Sequence, residues 1–162
     1  MRLRRIFFAT LLVAITCSNA HAGMADLING VKVGSQLPPV ELHYLGTAPT
    51  VVDHLVLIDF WATWCEPCRT SIPSLNALQA RFATKGLVVI GVSPETAEVV
   101  LPFLQTVPLH YAIAIDDSSG LHKSLHIRAL PYAMFVSRSG RIVWRGQTAE
   151  IDDALVNALL RQ

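Results

Sequence analysis

The chain has 162 residues, 13 lysines and arginines against 12 acids, and 52% apolar side chains. That length suits one domain with a sizeable core, and the near-neutral charge argues against nucleic acid, which selects a basic surface. Three cysteines are too few for a framework of structural disulfides, so any cysteine pair has to be explained by its chemistry.

Residues 1–22 read as a cleaved signal peptide. Met1-Arg2-Leu3-Arg4-Arg5 is a basic start, Ile6 to Ile15 is apolar apart from Thr10, and Ala20-His21-Ala22 is an Ala-x-Ala cleavage signal. The alternative is an uncleaved membrane anchor, although the apolar part is short against the ~20 residues a span needs. A lipoprotein site at Cys17 is a weaker alternative, because Thr16 is bulky for that context. Cleavage after Ala22 leaves 140 residues, 23–162, as one domain. It also removes three arginines and no acids, leaving 10 bases against 12 acids, a balance of −2. Only Cys65 and Cys68 then remain, in an export context where disulfides form and persist.

Gly23 to Gly34 has no clear period. Gln36 to Tyr44 alternates after its prolines and predicts an edge strand or hairpin. Leu55-Val56-Leu57-Ile58-Asp59-Phe60 predicts the first core strand. From Pro67 the apolar residues Ile72, Leu75, Leu78 and Phe82 recur at helical steps, Pro73 kinks that helix, and Lys85-Gly86 stops it. Leu87 to Val92 predicts a second buried strand. Ser93-Pro94-Glu95 reads as N-cap, first helical residue and early acid, predicting a helix to about Thr106. His110 to Ile115 predicts a third strand, Asp116 to Gly120 a turn, and Leu121 to Ile127 a short helix. Ala133–Val136 and Ile142–Trp144 flank a Ser-Gly turn as a hairpin. Ala149 to Leu160 closes the chain as an amphipathic helix. This order implies an α/β domain with helices on both faces of its sheet.

The stretch that carries chemistry is Trp61-Ala62-Thr63-Trp64-Cys65-Glu66-Pro67-Cys68. Cysteines three apart at a helix start lie about one turn from each other on one face, a separation compatible with a disulfide. Cys65 there meets unpaired backbone N–H groups and the positive end of the helix dipole, which stabilise a thiolate. The pair can open and close, so the predicted reaction is thiol–disulfide exchange. The competing reading is a zinc or copper ligand pair. Structural zinc wants four ligands, no second cysteine pair exists, and His43, His54, His110, His122 and His126 show no ligand spacing around the motif.

The residues from Asp59 to Cys68, with Pro73, Leu130-Pro131 and Ser139-Gly140, resemble the active-site stretch, helix-kinking proline, cis-proline segment and hairpin turn of thioredoxin-fold proteins. The Cys-Glu-Pro-Cys centre, the signal peptide and an extra helix-strand between residues 94 and 115 are similar to the TlpA/ResA-like branch. The resemblance covers roughly residues 33–161. It implies a thioredoxin-like α/β fold: a central mixed sheet flanked by helices, an N-terminal strand or hairpin extension and an inserted helix-strand. It also implies an exported thiol–disulfide oxidoreductase, monomeric and periplasmic, needing no metal and no cofactor. Such a protein reduces a disulfide in another exported protein, with cytochrome c maturation as one setting, and is re-reduced by a membrane thiol reductase. Ser71 departs from the glutamate that some ResA-like members carry three residues after the second cysteine. The alternatives are a disulfide-introducing oxidase and, without enzymatic activity, a redox-controlled carrier of Cu(I). A peroxidase of related fold would need a Pro-x-x-x-Thr-x-x-Cys context, which the chain lacks.

Within that frame Cys65 is the expected nucleophile and Cys68 the resolving thiol. Asp59 ends an apolar strand six residues before Cys65, where thioredoxin carries its buried acid, and is expected to take the proton of Cys68; otherwise it is a strand-end acid facing solvent. Glu66 either raises the Cys65 pKa as a neighbouring negative charge or is a solvated first-turn acid. Pro131 is expected cis only from the resemblance, presenting the Leu130 backbone to a partner chain. Trp64 and Pro67 are expected on the contact surface; of Trp61 and Trp64 one is expected in the core and the other exposed, the alternative being that both pack in the core.

Overall fold

The computed structural model describes residues 31–39 and 41–162; the proposed signal segment lies outside them. Six strands form one sheet in the order β1-β4-β3-β2-β5-β6. In chain order these are β1 (His43–Tyr44), β2 (Leu55–Phe60), α1 (Glu66–Phe82), β3 (Leu87–Ser93), α2 (Ala97–Leu104), β4 (Ala112–Ile115), α3 (Gly120–Ser124), β5 (Tyr132–Val136), β6 (Ile142–Gly146) and α4 (Asp153–Leu160). The central trio β2, β3 and β4 is parallel, and β1, β5 and β6 add antiparallel partners at the two sides. The sheet is therefore mixed and the fold thioredoxin-like, as the family resemblance implied.

Every residue of β2 is buried, as expected of a strand covered on both faces. Its alternation sorts the core. Val56, Ile58 and Phe60 join Ile90, Val92, Met134 and Leu121 on one face, under α3. Leu55 and Leu57 join Leu75, Leu78 and Phe82 of α1 and Val156 and Leu159 of α4 on the other. Side chains alternate faces along a strand, so Asp59 projects to the α1 side. Helix α1 buries Cys68, Ile72, Leu75, Leu78 and Phe82, the stripe read from the sequence. A 3₁₀ turn, Ala83–Lys85, follows α1, and Gly86 ends it with a φ of 95°, a left-handed position a glycine takes without a Cβ penalty.

Several boundaries differ from the sequence reading, two of them at helix starts. Helix α2 begins at Ala97, with Thr96 before it. Ser93 instead ends β3, and Glu95 turns its carboxylate away to Thr63, so tertiary hydrogen bonds override the local Ser-Pro-Glu capping pattern. The last helix starts at Asp153 because Asp152 caps it, accepting the Leu155 N–H at 2.8 Å; Thr148–Glu150 form a separate 3₁₀ turn. The N-terminal extension contributes the two-residue edge strand β1 and a single bridge from Gln36 to Arg141.

Candidate active site: a disulfide at a helix start

Cys65 occupies the N-cap of α1 with extended backbone angles, φ −82° and ψ 97°. Its sulfur accepts the Cys68 N–H at 3.2 Å. The sulfur is thus held against one of the orphan donors of the helix's first turn, as the cysteine spacing predicted. Cys65 and Cys68 form a disulfide with an S–S distance of 2.02 Å and a Cα–Cα distance of 5.2 Å. Both residues are 3% exposed.

A third apolar cluster surrounds them. Trp61, Ala62, Val100, Ile113 and Ile115 pack with the two cysteines, and half-buried Leu130 lies against the same cluster. The Leu130–Pro131 peptide bond is cis, and it directly precedes β5, the antiparallel neighbour of β2. The fold thus brings the active-site loop and the Leu130-Pro131 segment to one end of the sheet, although some 60 residues separate them in the sequence. The two tryptophans divide their roles: Trp61 is 1% exposed and stacks near Phe103 at 5.5 Å between ring centroids, whereas Trp64 is 70% exposed.

Asp59 is buried, 3% exposed, under the sheet face that carries α1. Burial pushes its carboxyl pKa from 3.8 up to about 7, although a hydrogen bond from Thr148 pulls the other way. The solvent-facing alternative for Asp59 is thereby excluded. Its hydrogen-bond partner is the Thr148 hydroxyl, not a cysteine. Across the sheet Asp59 pairs with Gly91, and the space a side chain would take there is filled by Trp61 and Tyr111. The negative charge of Asp59 adds to burial in raising the Tyr111 pKa.

Glu66 and Pro67 are exposed on the first turn of α1. Glu66 pairs with Arg69 at 2.8 Å, with 74% of its side chain exposed. Ser71 donates its hydroxyl to the Pro67 carbonyl at 3.2 Å, a bond internal to the helix. Two residues whose roles do not show in the sequence hold the site together: Thr148, through Asp59, and Glu95, which binds Thr63 instead of opening a helix. Among the described residues, no three histidine, cysteine, aspartate or glutamate side chains gather as a metal site would require.

A disulfide at a helix N-terminus, a cis-proline segment whose Leu130 packs against the same cluster, and a buried acid in the strand that leads into the loop, on a mixed α/β sheet, define the class of thioredoxin-fold thiol–disulfide oxidoreductases. The chain belongs to the AhpC/TSA family, which matches residues 35–145. It is 31% identical over 140 residues to the thioredoxin-like protein YneN of Bacillus subtilis, covering 82% of this chain and 81% of that protein. It is 22% identical over 152 residues to the thiol-disulfide oxidoreductase ResA of Bacillus cereus, covering 88% of each. The thioredoxin domain of a thiol-disulfide oxidoreductase from Bacteroides vulgatus superposes with a TM-score of 0.68 at 24% identity, over 81% of this chain and 97% of that domain.

Proposed function

We propose that this thiol–disulfide oxidoreductase is exported and acts as a reductant of disulfides in other exported proteins. The observation that carries the exchange chemistry is the Cys65 sulfur at the N-cap of α1, bonded to the Cys68 N–H. That position stabilises a thiolate, as cysteines at helix N-termini have pKa values lowered to ~3.5–7.5.

The reaction starts from the dithiol. The Cys65 thiolate attacks one sulfur of the substrate disulfide, forming a mixed disulfide and releasing one substrate thiolate. Cys68 loses its proton to the Asp59 carboxylate, directly or through a water. The Cys68 thiolate then attacks the Cys65 sulfur, closing the Cys65–Cys68 disulfide and releasing the second substrate thiolate. Two electrons pass from the cysteine pair to the substrate. An acid whose pKa is about 7 is suited to accepting and returning a proton near neutrality.

Trp64, Pro67 and Glu66 supply the exposed surface around the pair, and the backbone at Leu130 and Pro131 receives an extended segment of the substrate. Residues 1–22 direct export to the periplasm, and 23–162 are the working domain, acting as a monomer. A membrane thiol reductase returns the electrons. Cytochrome c maturation is the setting that the TlpA/ResA-like resemblance supplies. Substitution Cys68→Ser tests this reading: expressed with its export signal, it should accumulate mixed disulfides at Cys65 with exported proteins. If Cys65 stays unmodified while the protein reaches its compartment, exchange with exported substrates is excluded.

A further inference from the structure

The exchange chemistry leaves one half-buried carboxylate without a role. Glu95 lies just beyond β3, and its side chain reaches 32 residues back to the loop that carries the nucleophile. One oxygen, Oε2, accepts the Thr63 N–H at 2.6 Å, and the other, Oε1, accepts the Thr63 hydroxyl at 2.7 Å. The Ser93 hydroxyl donates to Oε2 at 3.1 Å, while Ser93 Oγ accepts the Glu95 N–H at 3.2 Å. The carboxylate is therefore held from its own strand end while it holds Thr63 with both oxygens. Hydrogen bonds to an ionised acceptor are about twice as strong as neutral ones.

Thr63 is the middle of the five-residue loop from Trp61 to Cys65. At the start of that loop the Trp61 N–H donates to the Val92 carbonyl at 3.1 Å. At its end the Cys65 N–H donates to the Ala62 carbonyl at 3.1 Å, a bond within the loop itself. The side chain next to Thr63, Trp64, stands in solvent. Glu95 thus ties the outer half of the loop to the sheet.

We propose that Glu95 is a positioning residue: it clamps Thr63 to the end of β3 so that the Cys65 sulfur stays at the N-cap of α1 when the disulfide opens. In the closed state the bond to Cys68 holds Cys65 in place by itself. Reduction removes that tether, and the placement of the sulfur then depends on the loop. Helix-terminus stabilisation of a charge falls off within one turn, so a loop that drifts weakens the thiolate. The same drift separates Cys65 from Cys68 in the mixed disulfide, where misplacement by ~1 Å can cost ~100-fold in rate. This inference rests on the assignment of Cys65 as nucleophile.

Charge and clamp predict opposite signs, which makes the idea testable. As a mere negative charge, Glu95 disfavours the thiolate, so its removal lowers the Cys65 pKa. As a clamp, its removal raises that pKa. The experiment measures the Cys65 pKa by thiolate absorbance, and the rate of attack on oxidised glutathione, in the reduced chain and in Glu95→Ala, Glu95→Gln and Thr63→Val. The clamp predicts a raised Cys65 pKa and a rate at least ~10-fold lower in Glu95→Ala. It predicts a smaller change of the same sign in Thr63→Val and substantial recovery in Glu95→Gln, which keeps an acceptor for the Thr63 N–H. Combining Glu95→Ala with Thr63→Val should add little to Glu95→Ala alone, as expected for residues acting through one contact. An unchanged or lowered Cys65 pKa in Glu95→Ala, or fully additive effects of the two substitutions, overturns the proposal. Should Glu95→Ala fail to fold, Thr63→Val decides by the same readouts, and an unaltered pKa there overturns it. A parent chain that leaves oxidised glutathione untouched would refute the proposed exchange, while the pKa comparison would still decide on the clamp.

Discussion

The Thr148 hydroxyl donates a 2.8 Å hydrogen bond to Asp59 Oδ1, joining residues 89 positions apart beneath the sheet. Asp59 is the one carboxylate inside the core strand β2, and this bond opposes the effect of burial on its titration. Substitution Thr148→Val removes the donor with little change of shape. The Asp59 pKa should then rise above its value of about 7, carrying the pH profile of resolution to higher pH. An Asp59 titration unmoved by Thr148→Val would show that the bond has no electrostatic weight.

Asp59 itself should govern resolution. In Asp59→Asn, collapse of a preformed Cys65 mixed disulfide onto Cys68 should slow by ~100-fold near neutral pH, the usual scale of a lost general base. Stopped-flow release of the departing thiol measures it. Equal rates in the two proteins would remove Asp59 from the chemistry.

The same carboxyl makes stability depend on pH with a definite sign. Its folded pKa, about 7, lies above the ordinary 3.8, so between those values the native state binds the extra proton. The contribution is fully present below pH 3.8 and is lost as pH rises through 7. The upper bound is roughly 4 kcal/mol, at 1.36 kcal/mol per pKa unit. Denaturant titration of the oxidised protein should show Asp59→Asn gaining on the parent chain by a few kcal/mol between acid and mildly alkaline pH. A difference that stays constant with pH would mean that folding leaves the Asp59 pKa unshifted.

Gly91 faces Asp59 across the β2–β3 pair. A Cβ there would come within 2.9 Å of Trp61 Nε1 and 3.0 Å of Tyr111 Cε2. Both rings are buried, so neither can swing clear without moving the core. Substitution Gly91→Ala should therefore cost ~1–3 kcal/mol, the range for overpacking, with a change in Trp61 fluorescence. Unchanged stability and fluorescence would show that the rings relax freely.

Glu66 is next to the nucleophile but already paired with Arg69, and the pair is largely solvated. Solvent screens such pairs, so their weight is small. Glu66→Gln should lower the Cys65 pKa by less than about one unit, because a neighbouring negative charge is lost. A raised pKa would contradict that sign.

The parts of this site that are local in sequence were legible there. Cys65 and Cys68 lie one helical turn apart, and the uninterrupted apolar run before them reads directly as a buried strand. The stripe Ile72, Leu75, Leu78 and Phe82 has the helical period, and all four residues are buried. Asp59 was visible as a carboxylate out of place in that run. Its partner was not, since nothing in the residues around Thr148 distinguishes a hydroxyl that donates into the core from one that faces water. Glu95 was misread for the same reason. Ser93-Pro94-Glu95 satisfies the local grammar of a helix start, but the energy of that pattern is small beside hydrogen bonds to Thr63, which only the folded sheet brings within reach. Leu130-Pro131 needed the family resemblance, because a two-residue segment carries no periodicity from which its geometry follows.

The most direct measurement is a redox titration of the purified chain against mixtures of reduced and oxidised glutathione, with free thiols counted at each equilibrium. A cysteine pair poised at the head of a helix should pass reversibly through a single two-electron transition, with Cys65 and Cys68 gained and lost together. Two thiols that stay reduced, or a disulfide that stays closed, across the whole range would contradict it.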